Sequence, residues 1–173
     1  TDVTTFVMAI YQWMRNIGRI SFPIYCFFIV EGFFYTRSRK KYARRLAACA
    51  LISELPFDLA LFGKVIYPLH QNVFFTLLIG LGAIWVIDVI LAKNNQGKAQ
   101  KALLATFTAV GFMLLAEIMF VDYFSFGVMV IVVMYLLRKV LADKVKLWVP
   151  IVFVAGVVVL SVSYVGEFWA LLA

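Results

Sequence analysis

Two carboxylates and the chain's single histidine lie close together in an otherwise apolar stretch, SELPFDLALFGKVIYPLHQNVFFTL, which covers residues 53–77. Glu54 and Asp58 are spaced i, i+4, which places both on one face of a helix. His70 is suited to taking and returning a proton, and Asn72 is suited to capping the helix that follows it. Acid–base chemistry in a polar pocket is therefore the activity that these residue types favour.

The composition places these polar groups in a membrane protein. Apolar residues make up 65% of the 173-residue chain and charged residues only 14%, well below the roughly 25% charged that is typical of soluble domains. Several windows of about 18 to 20 residues carry almost no charge and can cross a hydrocarbon core about 30 Å thick as helices. Cys26 and Cys49 each lack a second thiol or a histidine at metal-ligand spacing, so we interpret both as packing residues and predict no metal site.

Hydropathy predicts an all-α transmembrane bundle that forms one domain over residues 1–173. The six predicted spans are Ile20 to Thr36, Tyr42 to Phe62, Asn72 to Ala92, Ala102 to Val121, Tyr123 to Leu141 and Leu147 to Trp169. Residues 1–18 are too short and too charged for a full span, and we expect Phe6 to Met14 to lie in the membrane interface. Ser21 is then the expected cap of the first span, with Pro23 in its first turn. Because the chain starts with Thr and not Met, we also expect an upstream helix that this sequence lacks.

The basic residues define the orientation of the bundle. Thirteen Lys and Arg residues fall on one side of the predicted spans and three on the other, and the excess marks the cytoplasmic face. The outer side then receives Arg19, Glu54, Asp58, His70 and Asn72, which we expect to converge on one outward-opening pocket. An ionisable group near the bilayer centre costs about 2.5–3.5 kcal/mol and requires a partner, a water-filled cavity or a function. A simpler interpretation pairs Arg19 with the two acids as bundle glue and leaves His70 without a function.

Two other acids are predicted to be solvated. Asp88 lies near the inner end of its span, within reach of Lys93 or water, and Asp122 lies at an outer turn. Neither position favours one function over another.

The run RSRKKYARR, residues 37–45, allows two interpretations. It is suited to setting the topology or to contacting anionic lipid heads. It is also suited to docking a phosphorylated cofactor on the cytoplasmic side, since Arg binds phosphate bidentately and Lys supplies a point charge. The candidate phosphate ligands are Arg37, Arg39, Lys40, Lys41 and Arg44. A nucleic-acid partner is not predicted, because no folded domain presents the basic run.

Four motifs occur in order along the chain. They are G-R-x-x-F-P-I at residues 18–24, E-G-F-x-x-T-R at residues 31–37, S-E-x-P-F-D at residues 53–58 and Q-N-V-F-F-T-L at residues 71–77. Together they resemble the TraX family of bacterial membrane proteins. The resemblance covers most of residues 17–138 and extends more weakly to VDYFSFGVMVIVVMYLLRK.

This resemblance implies an acetyltransferase. The type member of the family acetylates the amino terminus of conjugative pilin, and the family is similar to multi-span acyltransferases that take acyl-CoA from the cytoplasm. The resemblance therefore implies acetyl-CoA as acyl donor, a protein or glycan acceptor at the outer face, and the bacterial inner membrane as location. The motif positions are Arg19, Glu31, Arg37, Glu54, Asp58, Gln71 and Asn72, with Glu31 and Gln71 expected to be structural polar residues.

The related acyltransferases carry a histidine on their first helix, whereas no histidine precedes Arg19 here. Either the expected upstream helix supplies that histidine or His70 serves as the base. In the predicted mechanism, Asp58 or Glu54 orients the base, and Arg19 or Asn72 stabilises the oxyanion. Two other classes stay open: a small transporter whose proton or cation path uses the carboxylates of the first two spans, and a non-catalytic membrane assembly factor.

Overall fold

The protein, described here as a computed structural model, is an all-α bundle. The structure describes residues 2–67, 69–93 and 97–172, and within these the side chains of residues 2–5, 8, 9, 11–20 and 162–172 are not described. Six helices occupy the described residues: α1 (Asp2–Tyr35), α2 (Arg39–Phe62), α3 (Val73–Ala92), α4 (Lys98–Ile118), α5 (Phe124–Leu141) and α6 (Trp148–Leu172). The predicted fold class is confirmed, and most helix bounds lie within a few residues of the predicted spans.

Among the residues whose side chains the structure describes, three helices are long and apolar enough to cross a bilayer: α3, α4 and α5, with 20, 21 and 18 residues. Within the described residues, α1 and α6 contribute the shorter apolar stretches Ser21–Tyr35 and Trp148–Ser161. In α2, basic residues fill the first two turns, and Glu54 and Asp58 interrupt the second half. The prediction of six full spans is therefore generous, but the apolar helices make the lipid bilayer the surroundings of this protein.

The first helix differs from the prediction. The segment expected at the membrane interface and the first predicted span form one unbroken helix from Asp2 to Tyr35. At 1.5 Å per residue its 34 residues extend about 51 Å, which exceeds the thickness of the hydrocarbon core. Pro23 lies inside this helix, so the prediction that a helix starts at Ser21 was wrong. The charged residues before Ser21 interrupt the window of high hydropathy, but the helix continues through them.

Helices α3 and α5 form the centre of the bundle. Both α1 and α4 pack on each of them, while α2 packs on α3, and α6 packs on α5 and α1. Ile84 of α3 and Ile131 of α5 are fully buried, and the Ile131 side chain lies against Gly80 of α3. Gly127 of α5 lies so close to α3 that a Cβ there would overlap the methyl group of Thr76. Close approach at small residues is how membrane helices gain van der Waals packing, since lipid supplies no hydrophobic force between them.

At the end of the bundle that the sequence predicts to face outward, called the outer end below, two loops pair with each other. Gln71 and Val121 form a parallel β-bridge. In this bridge the Gln71 N–H donates to the Phe120 carbonyl at 2.9 Å, and the Asp122 N–H donates to the Gln71 carbonyl at 3.0 Å. The bridge therefore holds the residues that precede α3 beside the turn that precedes α5.

The α4–α5 turn contains backbone that is unusual for residues with a side chain. Phe120, Tyr123 and Phe124 have φ values of 51°, 62° and 43°. This left-handed conformation costs roughly 1–2 kcal/mol at each residue, so it persists only where surrounding contacts hold it. One such contact is the Thr76 hydroxyl, which donates to the Asp122 carbonyl.

Candidate functional site

Asn72 joins α2 to the start of α3. Its side-chain oxygen caps α3 by accepting the Phe74 N–H at 2.9 Å. Its amide group donates to the Ala50 carbonyl at 2.8 Å and to Glu54 Oε2 at 2.6 Å. The Asn72 backbone N–H donates to the same Glu54 oxygen at 3.1 Å. Because both amide hydrogens are used inside the protein, Asn72 fixes Glu54 and has no free donor for a substrate.

Asp58 lies one turn beyond Glu54 on α2 and is 1% exposed. Its Oδ2 accepts the Tyr67 backbone N–H at 2.7 Å. The second oxygen of each carboxyl group, Glu54 Oε1 and Asp58 Oδ1, is buried and lacks a hydrogen-bond partner among the described residues. A buried polar atom without a partner costs roughly 1–3 kcal/mol, so these two oxygens are the acceptors that the site has available for a donor.

His70 lies in the loop between α2 and α3 and is half-buried among aromatic rings. The rings around it are those of Phe57, Phe62 and Phe124, with centroids 5.9, 6.1 and 6.3 Å from that of the imidazole. His70 interacts electrostatically with Glu54 of α2 and with Asp122 of the α4–α5 turn. Apolar walls with acids within electrostatic range are a suitable setting for proton transfer by an imidazole.

Asp122 is partly buried and is not the solvated residue that the sequence predicts. Burial raises the pKa of Asp122, and the nearby His70 and a hydrogen bond from the Tyr123 N–H oppose that rise. That N–H lies 3.1 Å from Asp122 Oδ1. The prediction of a solvated residue failed because the α4–α5 turn folds against the loop that carries His70.

The remaining outer candidates contribute differently. Arg19 belongs to α1, but its side chain lies outside the described residues. Gln71 acts through its backbone, which forms the bridge to Val121. The structure thus places Glu54, Asp58 and Asn72 together at the outer end of α2, with His70 in the adjoining loop.

The basic run lies at the start of α2, at the opposite end of the bundle, which the sequence predicts to face the cytoplasm and which is called the inner end below. All of its basic residues except Arg39 are exposed: Arg45 and the four candidate phosphate ligands Arg37, Lys40, Lys41 and Arg44. Within the described part of the chain, no carboxylate pairs with any of these four. Ser38 caps α2 by accepting the Lys41 N–H at 3.4 Å. Exposed cations at a helix N-terminus are suited to binding phosphate, because the helix dipole and the side chains attract the same anion.

Arg39 differs from its neighbours because it is already paired. Its Nη2 lies 2.8 Å from Asp88 Oδ2, and Lys139 Nζ lies 2.6 Å from Asp88 Oδ1. The Tyr135 hydroxyl donates to the same Oδ1 at 2.7 Å. The prediction that Asp88 reaches Lys93 or water was wrong, because its side chain is 18% exposed and faces α5. Tyr135 and Lys139 share one face of α5 at i, i+4, which was the available signal for this cluster.

Glu31 forms a second ion pair at the inner end. Its Oε1 accepts from Arg138 Nε at 2.8 Å, and the two side chains are 17% and 13% exposed. The Arg138 guanidinium lies over the rings of Phe34 and Trp148, at 4.7 and 4.1 Å from their centroids. Glu31 therefore links α1 to α5 and α6 and is not part of the outer carboxylate pair.

Comparison with known proteins connects these features to a family. The model of the family described as TraX protein matches residues 2–173. A curated relative from Dichelobacter nodosus, described as probable fimbrial assembly protein FimC of serogroup H1, is 35% identical over 83 residues. That match covers 44% of this chain and only 34% of the relative's length. No solved structure matches the chain. Because the family match covers nearly every residue, the chain belongs to the TraX family.

Proposed function

We propose that this protein is a membrane acetyltransferase that moves an acetyl group from cytoplasmic acetyl-CoA to an amine or hydroxyl of an acceptor at the outer face. The observation that carries the proposal is the outer site. There, a half-buried His70 interacts with acids, and Glu54 Oε1 and Asp58 Oδ1 have no hydrogen-bond partner among the described residues. This arrangement is suited to binding a donor group and removing its proton.

In this proposal His70 is the base. It takes the proton of the acceptor nitrogen or oxygen while the new bond to the acetyl carbon forms. It then returns the proton to the departing sulfur as the carbon–sulfur bond breaks. The unpartnered oxygens of Glu54 and Asp58 hold the acceptor by accepting hydrogen bonds from its other donors, such as the second hydrogen of an amine or a neighbouring hydroxyl or amide group. Because the Asn72 amide is already used, stabilisation of the oxyanion falls to Arg19, a motif position of α1.

The inner basic run supplies the proposed dock for the phosphates of the acyl donor. Arg37, Lys40, Lys41 and Arg44 are exposed at the start of α2, where the dipole adds to their positive charge. Arg39 is already paired with Asp88, so it is not one of the main phosphate ligands in this proposal. The dock and the proposed transfer site lie at opposite ends of α2, so the donor's pantetheine arm must extend along the helices.

The acceptor in this proposal is a protein of the bacterial cell surface. The name of the Dichelobacter nodosus relative refers to fimbrial assembly and supports a fimbrial or pilus subunit, with a glycan as the alternative. The same name favours a second candidate function, a non-catalytic factor in such assembly. In either case the proposed location is the bacterial inner membrane, with the basic inner end in the cytoplasm.

Titration calorimetry with acetyl-CoA tests the proposed dock in the purified protein. We expect the Arg37→Ala, Lys40→Ala double variant to bind at least about tenfold more weakly, since two charge-assisted phosphate contacts are lost. The matched control is Lys144→Ala, Lys146→Ala, which removes two exposed lysines from the other inner loop. Equal weakening in both double variants would show a general charge effect, and no binding by the wild type would favour the assembly factor.

A further inference from the structure

The outer corner of the bundle holds Asp122 beside the segment that carries His70. The β-bridge clamps Gln71, the residue after His70, between the Phe120 carbonyl and the Asp122 N–H. The His70 ring also contacts Phe124, 6.3 Å away between centroids, on the far side of the same turn. A backbone bridge at the next residue and a ring contact of His70 itself therefore hold His70 beside the α4–α5 turn.

The turn holds this geometry at a conformational cost. Left-handed backbone at three non-glycine residues is maintained by the bridge, by the Thr76 hydroxyl on the Asp122 carbonyl, and by stacking of Tyr123 on Phe22 at 3.7 Å. Backbone strain of this kind persists where the surroundings over-determine the conformation. Asp122 is thus placed by the fold and not by a flexible loop.

Of the two acids that interact electrostatically with His70, Glu54 and Asp122, the second accepts fewer hydrogen bonds among the described residues. Glu54 interacts with His70, but its Oε2 already accepts two hydrogen bonds from Asn72. Asp58 accepts the Tyr67 N–H, and Lys64, in the loop that carries His70, lies over the Tyr67 ring at 5.3 Å. The Asp122 carboxylate accepts one N–H, from its neighbour Tyr123.

We propose that Asp122 is the positioning residue for His70: the turn holds its carboxylate where it stabilises the protonated imidazole while the proton is in transit. This assignment rests on the proposed function, in which His70 is the base. The sequence predicts that Glu54 or Asp58 orients the base, and this assignment gives that role to Asp122. Those two acids are then left to bind the acceptor.

Modification of the single histidine by diethyl pyrocarbonate tests this without requiring catalysis. The reagent reacts with the unprotonated imidazole, and peptide mass spectrometry reports the product at His70 alone if the purification tag contains no histidine. We expect His70 in Asp122→Asn to react about two- to threefold faster than wild type at pH 6, since loss of a nearby carboxylate disfavours the imidazolium. At pH 8 the two rates should agree. Asp122→Glu, which keeps the charge, should return the pH 6 rate toward wild type.

Glu117→Gln is the matched control, because Glu117 is an acid at the same outer end that accepts the Ser125 N–H. It should leave both rates unchanged. A purely structural effect of Asp122→Asn would change reactivity equally at pH 6 and pH 8, and that result would overturn the assignment. Equal rates in wild type and Asp122→Asn at both pH values would also overturn it. Because no acetyl transfer is measured, failure of the proposed function would appear separately, in the calorimetry.

Discussion

Replacement of Asn72 by Ala is the substitution for which the structure allows the most complete estimate of a change in unfolding free energy. The change removes three side-chain hydrogen bonds: the α3 cap, the bond to the Ala50 carbonyl and the 2.6 Å bond to Glu54. The backbone bond from residue 72 to Glu54 stays. With the side chain 2% exposed, water cannot replace the lost partners without rearrangement.

The expected loss is about 3–5 kcal/mol of unfolding free energy. A lost N-cap costs roughly 0.5–2 kcal/mol, a bond to a carboxylate roughly 1.5–3, and a neutral bond between membrane helices roughly 0.6. The carboxylate bond is the largest of these. The estimate therefore depends on Asn72 serving as the partner of Glu54 and not only as a helix cap.

Unfolding of the purified protein in detergent micelles by a denaturing detergent, followed by circular dichroism, measures this loss. Ser38→Ala is the matched control, because Ser38 caps α2 with a single long bond of 3.4 Å at an exposed position. We expect that control to lose less than about 1 kcal/mol. If Asn72→Ala lost no more than Ser38→Ala, the reasoning about the Glu54 contact would be refuted.

Three other perturbations are checked by thermal unfolding in the same micelles. Glu31→Gln should destabilise by about 2–4 kcal/mol, because Arg138 then keeps a largely buried charge without a counter-charge. The double variant Glu31→Gln, Arg138→Gln should lose less stability than the sum of the losses in the two single variants. Because burial raises the pKa of Asp122, the folded state holds that proton more tightly. Stability should therefore fall as the pH rises above the ordinary value near 3.8, and Asp122→Asn should make this fall shallower. Gly127→Ala should cost about 1–3 kcal/mol through overlap with α3, whereas Gly111→Ala, with nothing within 4 Å, should be neutral or stabilising.

The helices and one contact of the outer site could be predicted from the sequence. Hydropathy places Glu54 and Asn72 near the same end of neighbouring helices, and a buried acid requires a polar partner. The structure joins these two residues directly. The i, i+4 spacing likewise predicts that Asp58 shares the face of Glu54.

The cluster around Asp88 and the turn at Asp122 could not be predicted from the sequence, for physical reasons. Hydropathy gives the depth of Asp88 along α3 but not the helix face that meets α5, and its three partners lie 49, 47 and 51 positions away in the chain. The turn at Asp122 depends on left-handed backbone at phenylalanine and tyrosine, where no glycine signals it. Both features are set by helix packing, which local sequence patterns do not encode.

Transfer of labelled acetyl groups is the most direct measurement of the proposed activity. Inside-out membrane vesicles from cells that express the natural full-length protein expose the basic end to added [14C]acetyl-CoA. The account predicts label in membrane protein or glycan with the wild type, an unchanged yield with Lys144→Ala, Lys146→Ala, and a loss of about 100-fold or more with His70→Gln. Incorporation that is equal with His70→Gln, or no higher than in vesicles without the protein, would contradict it.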